Sequence, residues 1–419
     1  MKKTSFLTGI ALTAALATTA AAVAPPRAAA AQRGTDGGTA TYWMSAETAS
    51  GLSAQAGGGA SPAGGRSLLG AFAGGGRAAP RADAFVHNLR LELGSPRRAP
   101  APAADHFIPA GLNAGASLPL VSPEPARPDT RLYQGPGGGD GGASGRILVY
   151  WGCGEHARAG QPFEIDLSRM ARGRMPPGMA GLAVRATAPP SAADSATFGE
   201  WPNQRSRTNI PAGGSLVGAH SIRGNYSPDI NFNLASGQDF LAPIAIASNR
   251  RGPSGAVPVA WRQVPNATGY FLMAVGSRSD NTIVMWSSSE IQFSQMGAFD
   301  YLSPEEVVRL IAQRVVLQPA TTQCTVPAEF TQGVQAASLM MTAFGPEANF
   351  ATPRPASAAR GWRPDWTVKL RTRSTYAGIL GQDVAAMIRG ETAGGPQQDQ
   401  PRRPRRTGLG GLLGRVVGQ

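Results

Sequence analysis

The chain has 419 residues, of which 54 are Gly and 35 Pro, about a fifth of the total, while charged residues reach 16 % and aromatics 7 %. So much Gly and Pro points to long stretches of loop beside any packed core. The formal net charge of +13 is concentrated at the two ends. The stretch from 32 to 400 is close to neutral, which argues against a basic nucleic-acid-binding face. Lysine occurs only at Lys2, Lys3 and Lys369. Lys369 stands in Val-Lys-Leu-Arg, so a phosphate-loop lysine, a Schiff-base lysine and a Ser-x-x-Lys site are all unsupported.

Residues 1–31 read as a secretory signal peptide. Met1-Lys2-Lys3 is a basic start, Phe6 to Val23 is apolar, and Ala29-Ala30-Ala31 offers small residues for cleavage after Ala31. A membrane anchor is the competing reading, although the apolar run is barely long enough to span a bilayer. No cysteine stands near the cleavage region to suggest a lipoprotein. The mature protein is expected in the periplasm or outside the cell.

Residues 32–145 are expected to be largely disordered with short strands. Gly57–Gly59, Gly74–Gly76 and the run from Gly135 to Gly145 have linker composition. Phe85–Leu93 and His106–Val121 are candidate islands of order. Gly137, Gly139 and Gly142 meet the GxGxxG spacing, but they precede a strand instead of linking a strand to a helix, so a dinucleotide site is rejected.

Residues 146–255 are expected to form a β-rich domain. Ile147–Trp151 is a short apolar run, and Phe163–Leu167 and Gly181–Thr187 continue in strand fashion. Asp229–Leu234 alternates, sending Ile230, Phe232 and Leu234 to one face. Its Asp-x-Asn-x-Asn opening suggests a calcium loop. Leu234 and Phe240 stand where that loop needs Gly and Glu, so calcium is rejected.

Residues 256–380 are expected to form a second β domain. Val257–Val264, Tyr270–Val275 and Thr282–Trp286 read as three strands of an antiparallel meander, with Trp261 pointing inward and a turn at Pro265–Gly269. Ser303-Pro304-Glu305-Glu306 has the form of a capping box with Pro at N1, and Val307, Leu310, Ile311 and Val315 continue a helix over about 303–317. Ala337–Phe344 is a further strand. Trp366, Val368 and Leu370 alternate with Thr367, Lys369, Arg371 and Arg373, predicting one wet face. Asp383–Gly390 reads as a last short helix, and 401–419 as a basic tail.

On Trp261, the Asn266-Ala267-Thr268-Gly269-Tyr270 corner and the strand that follows, residues 257–290 resemble a fibronectin type III-like or bacterial immunoglobulin-like module. The resemblance implies a sandwich used mostly for spacing and binding. The helix after Ser303 departs from the usual seven strands and implies an insertion. The fold class expected is mainly β: antiparallel sandwich modules with one inserted helix.

The chemistry-bearing residues are few. Cys153-Gly154-Glu155-His156 holds three potential ligands, but no second ligand pair recurs at zinc spacing, so no metal is expected. Cys153 and Cys324 either pair, closing a loop of about 170 residues, or remain two buried thiols. His87, His106, His156 and His220 stand in no hydrolase motif. His220 and Ser221 are neighbours on a strand and face opposite ways. Trp201, Trp362 and Trp366, set among Pro and Arg, are candidate platforms for stacking a ligand.

In the tail, Arg402, Arg403, Arg405 and Arg406 precede Leu409, Leu412, Leu413, Val416 and Val417 at helical spacing. That suits an anionic membrane surface or a partner groove. The reading is an exported, non-enzymatic envelope protein that binds an envelope protein, a glycan or an anionic membrane, with no cofactor and no nucleic acid. An envelope hydrolase or carbohydrate-active enzyme with a dispersed site is the alternative.

Overall fold

The computed structural model describes residues 38–55, 84–124, 145–170, 184–280, 282–292 and 300–382, all of them within the unit Asp36–Gln419. The expected signal peptide (1–31), the last helix (383–390) and the basic tail (401–419) lie outside the described residues.

The chain is mainly β. Its strands are β1 (Ala40–Gly51), β2 (Phe85–Ser95), β3 (Ala104–Phe107), β4 (Ser117–Leu120), β5 (Arg146–Trp151), β6 (Phe163–Asp166), β7 (Thr197–Trp201) and β8 (Gly218–Gly224). They continue with β9 (Ile230–Leu234), β10 (Ile246–Asn249), β11 (Val257–Trp261), β12 (Gly269–Arg278), β13 (Thr282–Ser287), β14 (Gln323–Val326), β15 (Val334–Ala351) and β16 (Trp366–Ile379). A nine-stranded sheet has the order β6-β5-β13-β12-β15-β16-β1-β2-β7. Two smaller sheets, β10-β11-β14 and β4-β3-β8-β9, accompany it. Pairing is antiparallel except for β5 with β13 and β1 with β16, which run parallel.

The long sheet draws strands from all three segments distinguished in the sequence. β1 and β2 from 32–145, the segment expected to hold only short strands, have 12 and 11 residues, and β5 pairs along its whole length with β13.

Side-chain alternation divides the long sheet into two faces. On one face, Tyr42, Met44, Leu91, Val368 and Leu370 share a buried cluster with Leu118, Ile222, Ile230 and Leu234 of the four-stranded sheet. Further along the same face, Leu272, Trp286, Leu339 and Met341 share another with Val257, Val259, Trp261 and Val326 of the three-stranded sheet. On the opposite face, Phe271 and Phe344 pack with Val307 and Leu310 of the helix Pro304–Ala312. Each layer therefore buries apolar stripes that no strand hides alone.

Several local expectations are revised. The three strands after Val257 are present, but β11 pairs with β10 and β14, whereas β12 and β13 form a hairpin in the long sheet. The meander is broken because the chain changes sheets through 262–268, where Asn266 takes φ 63°. Trp261 meets Tyr270 edge-on across that crossing, at 5.4 Å between ring centroids. Residues 184–187 form no strand. The helix starts as read, with the Ser303 hydroxyl accepting from the Glu306 amide at 3.3 Å. The Glu306 carboxylate, however, turns to Arg309 and to the Arg185 amide. The helix stops at Ala312 instead of 317 because Arg314 adopts φ 59°, yet Val315 and Val316 bury beneath it.

Candidate functional site

Cys153 and Cys324 are joined in a disulfide with their Cα atoms 5.1 Å apart. The bridge lies in a strap between the loop after β5 and β14. The Gly154 amide donates to Thr325 at 2.9 Å and the Ala328 amide donates to Glu155 at 3.0 Å. His156 Nδ1 lies 3.1 Å from Glu329 Oε1, and the Ala157 amide donates to Glu329 Oε2 at 2.8 Å. With the sulfur oxidised and the imidazole facing a carboxylate, the 153–156 run is an anchor and not a ligand set.

The expected aromatic platform does not assemble. Trp201 and Trp366 are 3 % and 8 % exposed and belong to the core shared with the four-stranded sheet. Their positions on β7 and β16 face inward, and burial of so large an apolar surface outweighs any gain from exposure. Trp362 alone of the three stands outside a strand, half-buried in the loop between β15 and β16.

Two polar constellations that the sequence did not reveal flank β1. The first is buried on the side of the four-stranded sheet. Tyr42 Oη lies 2.8 Å from His106 Nδ1, His106 Nε2 lies 2.9 Å from His220 Nδ1, and His220 Nε2 lies 2.7 Å from the Leu216 carbonyl oxygen. A carbonyl only accepts, so His220 must carry its proton on Nε2. Its Nδ1 then accepts from His106 Nε2–H, and His106 Nδ1 accepts from the Tyr42 hydroxyl. All three donors point the same way, and both rings are neutral. Burial, reinforced by the neighbouring His220, holds His106 well below the ordinary histidine range, and burial lowers His220 too. Burial pushes Tyr42 well up, with Tyr226 and Glu92 adding to it. Phe232 stacks on His220 at 5.0 Å. Ser221, beside His220, is only half-buried, whereas the imidazole is buried.

The second constellation crosses the opposite face of the long sheet. In register, Trp43, Ser45 and Glu47 of β1 oppose Lys369, Arg371 and Arg373 of β16. Arg371 stands 4.9 Å from the Trp43 ring and 4.3 Å from that of Tyr301, and Arg373 stands 4.3 Å from Tyr301. Arg371 Nε donates to Ser45 Oγ at 2.7 Å. Arg373 pairs with Glu47 at 3.0 Å and with Asp300, and Lys369 pairs with Glu347 at 2.5 Å. The alternation on β16 is as read, but the expected wet face is covered. Tyr301 and Thr187 lie over Arg371, leaving it 6 % exposed. Cation–π contact and ion pairing satisfy these charges within the fold.

A cleft of about 340 Å³ opens near the end of β16, with Arg251, Thr331, Gln335 and Gln382 as its polar lining. Among the described residues no cluster of three or more His, Cys, Asp or Glu is placed to hold a metal ion. No protein-family model, curated protein or solved structure matches this chain.

Proposed function

We propose that this chain is an exported protein of the bacterial envelope whose β-structured body is a non-enzymatic binding and structural module. In this reading the basic, amphipathic segment 401–419 holds it to an anionic membrane surface or an envelope partner. The observation that carries the reading is the bridge between Cys153 and Cys324, since such cross-links form and persist in oxidising compartments. The apolar leader after Lys2-Lys3 points the same way. The internal engagement of the histidines and of the β16 cations also favours a scaffold over a reactive centre. The fibronectin type III-like reading of 257–290 belongs to the proposal. Its support is that β11 and β12 lie in different sheets that share one core.

Fractionation tests this directly. The protein should appear in the envelope fraction with its amino terminus at Gln32 and no titratable thiol. Truncation after Gln400 should move it from the membrane to the soluble fraction. Retention of residues 1–31 in a cytoplasmic product, or two free thiols, would remove the reading.

A further inference from the structure

We infer that the loop end of the long sheet, carrying Arg97, Arg98, Arg354, Arg360, Arg363 and Trp362, is a second, independent docking surface for anionic phospholipid headgroups. The inference rests on the exported-envelope reading only in taking a membrane as what the protein meets.

The surface follows from register. Ala40 of β1 pairs with Trp366 of β16, Thr41 pairs with Gly94 of β2, and Ala351 of β15 pairs with Thr367. The β2–β3 loop (96–103) and the β15–β16 loop (352–365) therefore leave the same end of the sheet. Residues 38–40 tie the two loops together. Thr39 Oγ1 donates to the Pro364 carbonyl at 2.8 Å and the Ala40 amide donates to Asp365 at 2.9 Å. Gly38 lies so near Pro96 that a Cβ there would come within 2.8 Å of its ring.

The longer loop is two successive turns. The Ala358 amide donates to the Pro355 carbonyl at 3.0 Å and the Trp362 amide to the Ala359 carbonyl at 3.1 Å, with Gly361 at φ 89° closing the second. Arg98, Arg354, Arg360 and Arg363 are exposed and Arg97 half-buried. Among the described residues none of the five has an ion-pair partner, in contrast to Lys369 and Arg373 of β16. Within the two loops the one acid is Asp365.

Unpaired guanidiniums are suited to phosphate. An indole among short Pro and Ala residues suits the headgroup layer, where tryptophan concentrates. A near-neutral body that gathers five arginines and an indole on two adjoining loops fits a lipid surface better than a nucleic-acid strand. Gln382, where the chain continues toward 401–419, lies beyond the far end of β16, roughly 40 Å away at strand spacing.

The test uses the mature full-length chain with Arg402, Arg403, Arg405 and Arg406 replaced by Ser, so that only the loop end reports. Binding is measured by co-sedimentation with phosphatidylglycerol–phosphatidylcholine vesicles and with phosphatidylcholine vesicles alone. Binding is expected to the anionic vesicles and to vanish in 1 M salt, where the screening length is about 3 Å. Adding R354S/R360S/R363S should weaken it on the order of 100-fold, about five-fold per arginine. R354K/R360K/R363K should retain most of it, and both sets should keep the parent's melting temperature. Brominated lipid should quench tryptophan emission, and W362F should abolish the quenching. The inference is overturned if the tail-neutral chain ignores anionic vesicles, if the serine variant binds as well as its parent, or if a nucleic acid or anionic glycan displaces lipid at equal charge. Each of these results leaves the export and thiol tests above untouched.

Discussion

Acidification should loosen the seam between the long sheet and the four-stranded sheet, and the Tyr42–His106–His220 chain sets the size of the effect. Both ring nitrogens of each histidine are already committed, so a further proton must displace a hydrogen bond inside an apolar cluster. Both folded-state pKa values lie below the ordinary 6.5. The stability that these neutral rings contribute is therefore complete above pH 6.5, and it is lost as pH falls below that value and the unfolded chain takes up protons that the folded chain refuses. One proton per histidine bounds the effect at about 1.4 kcal/mol per pH unit, so at most about 2.7 kcal/mol per unit for the pair. That is a large part of a typical stability of about 5–15 kcal/mol.

His87, also lowered by burial, adds in the same sense. Glu92, raised by burial, works against them, because its folded form takes up a proton more readily than the unfolded one. The informative quantity is therefore a difference between two proteins. In His220→Gln the amide can donate to Leu216 and accept from His106, but it does not titrate. Urea unfolding at pH 7, 6 and 5 should show a shallower pH slope in the variant than in the parent, by up to about 1.4 kcal/mol per pH unit for the one titration removed. Equal slopes would refute the neutral chain.

Three further outcomes are expected. Reduction, or Cys153→Ser with Cys324→Ser, should cost about 5 kcal/mol for a loop of this length, read as a fall in urea midpoint; no change would mean that the strap holds without its covalent link. Arg371→Lys should cost about 1–2 kcal/mol in the same assay, because an ammonium loses the flat contact with Trp43 and Tyr301 and the hydrogen bond to Ser45. Gly51→Ala should lower the melting temperature by several degrees. Its φ is 67° and a Cβ would come within 2.3 Å of the Ala377 carbonyl oxygen, a mainchain contact that cannot yield cheaply.

Individual strands were more legible in the sequence than their partners. β9 shows why: Ile230, Phe232 and Leu234 are buried while Asn231 and Asn233 are exposed, so period two is written in side-chain polarity. β1 is nearly as buried on both faces. Its Thr, Ser, Glu and Ala residues resemble loop composition, because one of its faces packs on charged neighbours instead of oil. β15 runs on to Ala351 past Gly345-Pro346, where a register shift absorbs the break. Val315 extended the helical period beyond the true end because apolar spacing records burial and not backbone conformation. The histidine chain left no local signal. His106 and His220 are 114 residues apart, and only the pairing of β3 with β8 brings them together.

The parallel pairing of β1 with β16 matches Ala40 to Trp366 and Gly51 to Ala377. The two halves of the long sheet are thus zipped by segments 326 residues apart along the chain, and contacts of such high order close slowly. Made amino-terminus first, the chain can pair β1 with β2 early, but the other edge of β1 stays open until β16 has been made. Any product clipped before Trp366 would display β1 as a raw rim, an invitation to pair with a stranger.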